Sequence, residues 1–74
     1  MPHVMLHLAA GRSDAEKRRL ADVLAAAVTA AIGSPAESIS VAIEDVPMDD
    51  WPQFYRREIA ARPALLFKPP GYSF

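Results

Sequence analysis

Seventy-four residues, 51% of them hydrophobic, allow one domain, residues 1–74, with a modest core. Eight Lys and Arg are interleaved with nine Asp and Glu, for a net charge of −1, which excludes the concentrated basic face of a nucleic-acid binder. There is no cysteine for a disulfide or thiolate metal site, no apolar run of the ~20 residues a membrane span needs, and no signal-peptide pattern, so the expectation is a cytoplasmic protein stabilised by oligomerisation.

The chain opens Met1-Pro2-His3-Val4-Met5-Leu6-His7-Leu8, a predicted strand that ends near Ala9-Ala10-Gly11. Alternation puts Val4, Leu6 and Leu8 on one face and His3, Met5 and His7 on the other. Ser13-Asp14-Ala15-Glu16 is a capping box, with acidic residues at the positive end of the helix dipole. It predicts a helix from Asp14 to Ile32, with Leu20, Val23, Leu24, Ala27, Val28, Ala31 and Ile32 as its apolar stripe. Lys17, Arg18, Arg19 and Asp22 fall mainly on the wet side. Gly33 stops the helix and Pro35 prevents its resumption.

Ser38 to Glu44 alternates as a second strand, with Ile39, Val41 and Ile43 on one face. Strand, helix, strand is a βαβ unit with parallel strands and a right-handed crossover. The helix is expected over Val4, Leu6, Ile39, Val41 and Ile43. Two strands with open edges recruit further strands, so a second subunit is expected to complete the sheet. After the turn at 45–50, a second helix is predicted from Asp50 to Ala61, capped by Asp49 or Asp50, with Pro52 in its first turn. Trp51, Phe54, Tyr55, Glu58 and Ile59 form its partly apolar stripe. Pro63 ends or kinks it. The run 64–67 is too short to classify, and 68–74 reads as a tail. The fold class is α+β.

Pro2 is the residue with the most distinctive chemistry. Proline can open a strand simply because its missing N–H needs no partner there. If Met1 is removed, however, Pro2 becomes a secondary amine held at the end of a strand. A base working near neutrality needs its pKa lowered, by apolar burial or a neighbouring cation. Arg12 could supply that charge and grip a substrate carboxylate, though most arginines are simply solvated. Trp51 could wall the amine with low-dielectric surface, or anchor a core or interface. His3 and His7 share a strand face, but no third ligand accompanies them, so no metal site is expected. Asp49 and Asp50 are read as helix caps that could alternatively activate water.

Met-Pro at the start, Gly11-Arg12-Ser13 before an acidic capped helix, and Ile39-Ser40-Val41-Ala42-Ile43 resemble the 4-oxalocrotonate tautomerase family of the tautomerase superfamily. Trp51, the Ile59-containing helix and Lys68-Pro69-Pro70-Gly71-Tyr72-Ser73 look like its dimeric phenylpyruvate-tautomerase-like branch. The resemblance implies a βαβ protomer paired edge to edge into a four-stranded sheet, with no metal or organic cofactor. It implies that Pro2 shuttles a proton between enol oxygen and carbon, that Arg12 binds the substrate carboxylate, and that Trp51 walls the amine. Ser40 stands where hexameric relatives carry a second arginine. That departure favours a small monoacid keto/enol substrate such as phenylpyruvate, and a homodimer over a hexamer. Two other readings compete: a hydrolytic dehalogenase or hydratase, with protonated Pro2 and a carboxylate activating water, and a non-catalytic βαβ interaction module.

Overall fold

The computed structural model describes residues 1–74. Strand β1 is His3–Ala9, helix α1 is Asp14–Ile32 and strand β2 is Ser40–Val46. The strands pair in parallel, with His3 beside Ser40, Leu6 beside Ile43 and Ala9 beside Val46. This is the expected βαβ unit, and its two-stranded sheet has both outer edges free.

The start of α1 follows from its sequence. Ser13 Oγ accepts from the Glu16 N–H at 3.1 Å, and Glu16 Oε1 accepts from the Ser13 N–H at 3.0 Å. At the other end Gly33 takes a left-handed conformation (φ 76°) that a side chain would resist, and its N–H bonds the Thr29 carbonyl at 2.9 Å. The backbone bond from Ser13, helped by its side chain, holds the Glu16 carboxyl below the usual carboxylate range. A carboxyl lowered in the folded state adds stability that is complete above its unfolded pKa and is lost as pH falls through the folded one. Thermal unfolding is therefore expected to show Ser13→Ala destabilised by about 1 kcal/mol. The melting gap between the native protein and Glu16→Ala will be widest near neutrality and will close in acid. A gap that stayed constant in acid would remove the carboxylate from this account.

The rotation of α1 differs from the expectation. Its half-covered positions are Lys17, Leu20, Ala21, Leu24, Ala25 and Val28, whereas Val23, Ala27, Ala31 and Ile32 are exposed. Lys17 is not on the wet side: its side chain is only 21% exposed, and Nζ donates to Asp45 Oδ2 at 2.9 Å. Its stem covers the sheet while its charge meets Asp45 at the end of β2. That hydrogen bond, with the nearby charge of Asp45, raises the Lys17 pKa despite some desolvation.

β2 also begins and ends two residues later than expected. Ala36–Ser38 is a 3-10 turn in which the Ser38 N–H and hydroxyl both bond the Pro35 carbonyl, at 3.0 and 2.8 Å. Ser38 satisfies its polar groups locally and is withdrawn from the ladder. Pairing with β1 then carries β2 on to Val46.

The second helix lies on the opposite face of the sheet. It enters through a 3-10 turn, Met48–Asp50, continues as helix α2 (Trp51–Phe54) and widens without a break into a π-helical stretch, Tyr55–Ala60. Neither Asp49 nor Asp50 caps it: Asp50 already has helical dihedrals, and no side chain caps this end. The Asp50 N–H bonds the Pro47 carbonyl at 2.8 Å within the entering turn. The expected stripe of Trp51, Phe54, Tyr55, Glu58 and Ile59 is the covered side. Pro63 opens a last 3-10 turn, Pro63–Leu65.

The core is thin. Only Val46 and Phe54 are buried, each 8% exposed. The chain exposes 5601 Å², whereas a folded monomer of 8.1 kDa exposes about 4,500 Å². That excess is comparable with the roughly 800 Å² per partner that a specific interface removes. The missing coverage is thus of the size another subunit provides. No helix is long and apolar enough to cross a membrane.

Candidate active site

The first group of candidate residues gathers where both strands begin. Pro2 precedes β1, and its carbonyl accepts from the Ser40 N–H at 3.2 Å. Parallel register sets Ser40 beside His3, and Ser40 Oγ lies 2.6 Å from His3 Nδ1. Pro2, His3 and Ser40 are therefore neighbours, with Met1 fully exposed beyond them. Ser40 offers a neutral hydroxyl beside Pro2 and no permanent positive charge.

Arg12 belongs to the other end. It follows β1, on a turn where Gly11 has a φ of 134° that favours glycine. Its side chain is 65% exposed, and its guanidinium meets only Glu16, at 3.9 Å. From Pro2 to Ala9 the strand advances about 23 Å at its usual rise per residue. Within one chain, then, the structure does not bring Arg12 to Pro2.

Trp51 lies over the face that carries His7. Its ring packs on Phe54 at 5.1 Å, and Phe54 packs on His7 at 4.7 Å. His7 in turn meets Glu44, its cross-strand neighbour, at 3.0 Å. His3 and His7 thus have separate partners, Ser40 and Glu44. A hollow of about 430 Å³ lies between Met5 and His7 of β1 and Trp51, Phe54, Glu58, Ile59 and Arg62. Asp49 and Asp50 sit in the turn after β2, beyond the far end of the strand pair from Pro2. A carboxylate there cannot activate water beside Pro2 of its own chain.

The contact of Tyr72 with Trp51 is not legible in the sequence. The tail 68–74 returns to α2, and Tyr72 Oη accepts from the Trp51 indole N–H at 3.2 Å. The two are twenty-one positions apart in the chain. A Pro-Pro-Gly run followed by aromatics was the only sequence signal, and it does not specify a partner.

Comparison with known proteins shows the family. A family model described as "Tautomerase enzyme" matches residues 2–53. A probable tautomerase of Xylella fastidiosa (strain 9a5c) is 45% identical over 73 residues, covering 97% of this chain and 89% of that protein. Tautomerase PptA of Pectobacterium carotovorum subsp. carotovorum (strain PC1) is 36% identical over 76 residues, covering all of both chains. Among solved structures, one from work on the 4-oxalocrotonate tautomerase isozymes of Methylibium petroleiphilum superposes with a TM-score of 0.65 at 34% identity. That superposition covers 68% of this chain and 81% of the other.

Proposed function

The chain belongs to the tautomerase family, and on that premise we propose that Pro2, freed by removal of Met1, is the proton carrier of a keto–enol tautomerase acting on small 2-keto acids. The neutral amine takes the enol hydroxyl proton. The oxygen electron pair closes the carbonyl, the carbon–carbon π pair accepts the proton from the prolinium, and a C–H bond forms. One group is base and then acid, so its pKa must lie near the working pH. Arg12 holds the substrate carboxylate and the charge that develops with it. Trp51 supplies a low-dielectric wall.

The separation of Pro2 from Arg12 along one strand, together with the free edge of β1, carries this reading. A two-fold axis perpendicular to the sheet pairs β1 with β1 of a second copy in antiparallel fashion. The Pro2 end of one strand then lies beside the Ala9–Arg12 end of the other. The composite site contains Pro2 and Ser40 from one subunit and Arg12 and Trp51 from its partner, in a homodimer with a four-stranded sheet. Ser40 brings no second cation, so a monoacid enol such as that of phenylpyruvate fits better than a dicarboxylate.

The deciding experiment compares two preparations separated by intact mass, one lacking Met1 and one retaining it. Both are given enol-phenylpyruvate, and its decay is followed by ultraviolet absorbance. The processed protein is expected to accelerate ketonisation, and the Met1-bearing protein to match background, because an amide nitrogen is no base. Equal rates would overturn the amine mechanism.

A further inference from the structure

The tail of the molecule packs back on the second helix. Tyr72 and Phe74 fold onto Tyr55, at the start of the π-helical stretch, in a ring cluster: Tyr55 to Tyr72 at 5.5 Å, Tyr55 to Phe74 at 5.4 Å and Tyr72 to Phe74 at 5.6 Å. Each pair has tilted or edge-on geometry within the range where aromatic rings attract. Lys68-Pro69-Pro70-Gly71 leads into the cluster, and its two prolines reduce the freedom lost on ordering. A shallow, open hollow of about 320 Å³ lies between Met48, Trp51, Tyr72 and Phe74, with no charged residue in its lining. The polar atoms of its two amphipathic walls, the Trp51 N–H and the Tyr72 hydroxyl, bond one another. The remaining surface offers hydrocarbon and ring faces. Met48 and Phe74 are 69% and 59% exposed, so the hollow is accessible. The matched family region ends at residue 53, so both tail residues lie beyond it.

We propose that this hollow is the subsite for the apolar end of the substrate, an aryl group on C3 of the 2-keto acid, and that Tyr72 is a positioning residue that fixes the Trp51 wall. The proposal rests on the reading that Trp51 borders the reaction site. A volume near 320 Å³ is at the small end of ligand pockets, which start at about 300 Å³. It suits a single ring. A second carboxylate in the same place would give up part of its hydration against ring and hydrocarbon faces that offer no donor in return. Tail chemistry thus selects the substrate, while Pro2 and Arg12 act on the part that all 2-keto acids share.

The test uses the processed full-length protein and two enols that differ only at C3, enol-phenylpyruvate and enol-oxaloacetate. Phe74→Ala is expected to lower the ratio of kcat/KM for the phenyl over the carboxylate substrate about five- to tenfold, mainly through KM. Tyr72→Phe keeps the ring and removes only the hydroxyl. It is expected to lower the same ratio by about threefold and to shift the emission of Trp51, the only tryptophan. Titration with 3-phenylpropionate, which cannot tautomerise, follows binding through Trp51 fluorescence. It is expected to saturate with both the native protein and Pro2→Ala, and to weaken with Phe74→Ala. If Pro2→Ala kept full activity, the amine mechanism would fail, and the titration would still decide the subsite. Equal losses on both enols, no fluorescence response in the native protein, or a Phe74→Ala protein of lower mass in solution would each overturn the assignment. The last outcome would make the cluster a subunit contact.

Discussion

Pro2→Ala, with Met1 removed, will ketonise enol-phenylpyruvate about a hundredfold more slowly than the native protein, the lower end of what a positioned acid–base group contributes. The effect is not total loss, because an N-terminal alanine still has an amine. What it lacks is the ring that fixes the nitrogen at the head of β1 and makes it secondary. Strand pairing anchors the position: the Pro2 carbonyl accepts from Ser40, and the ladder begins at the next residue. A freely rotating amine forfeits part of the advantage of a preset geometry. The check is kcat/KM across pH for both proteins. In the native enzyme it should rise through the pKa of the amine, since only the neutral form accepts a proton. Unchanged rates at every pH would remove Pro2 from the mechanism.

Arg12→Ala will lower kcat/KM by about a hundredfold, chiefly through KM, since one or two charge-assisted hydrogen bonds to the carboxylate are lost. Lysine at this position will recover only part of the loss, because a point charge does not reproduce the fork. The more searching measurement mixes the two defective proteins. If Pro2 and Arg12 of one site come from different subunits, a heterodimer of Pro2→Ala and Arg12→Ala chains has one site with both lesions and one with neither. Random exchange of a two-fold dimer should then recover about a quarter of native activity. Recovery of nothing would place both residues of a site in one chain, against the strand geometry.

Much of this architecture is readable from local sequence, for specifiable reasons. The Ser13–Glu16 capping box and Gly33 act within a few residues, so they mark both ends of α1 correctly. The alternation in 39–43 fixes the faces of β2. Where several answers have similar local energy, the sequence reading drifts. α1 has alanines on most of its sides, so its apolar stripe can be drawn at more than one rotation. Packing on the sheet selects the one that draws Lys17 inward to Asp45. Ser38 looks like a strand residue until its hydroxyl finds Pro35. An acidic residue at the head of a helix suggests a cap, yet Asp50 is taken up in a preceding 3-10 turn. For the site, Pro2, Ser40, Arg12 and Trp51 stand out by type. Their arrangement does not, because it depends on the direction of a strand and on a neighbour outside the chain. Tyr72 is invisible for a different reason: its partner, Trp51, lies twenty-one positions away in the same chain, beyond any local sequence pattern.

The thin core has a consequence for how the protein comes into being. Two buried residues cannot offset the conformational entropy of ordering 74, which costs roughly 1–2 kcal/mol per residue for the backbone alone. In the proposed homodimer the hydrophobic surface that would offset it, Met5 among the rest, becomes covered when the second chain arrives. Folding is then a bimolecular event. Its rate should follow the square of chain concentration, and the melting temperature should climb as the solution is made more concentrated. In such a dimer a newly synthesised copy would be committed to its structure by an encounter, and abundance, shape and catalytic competence would rise and fall together.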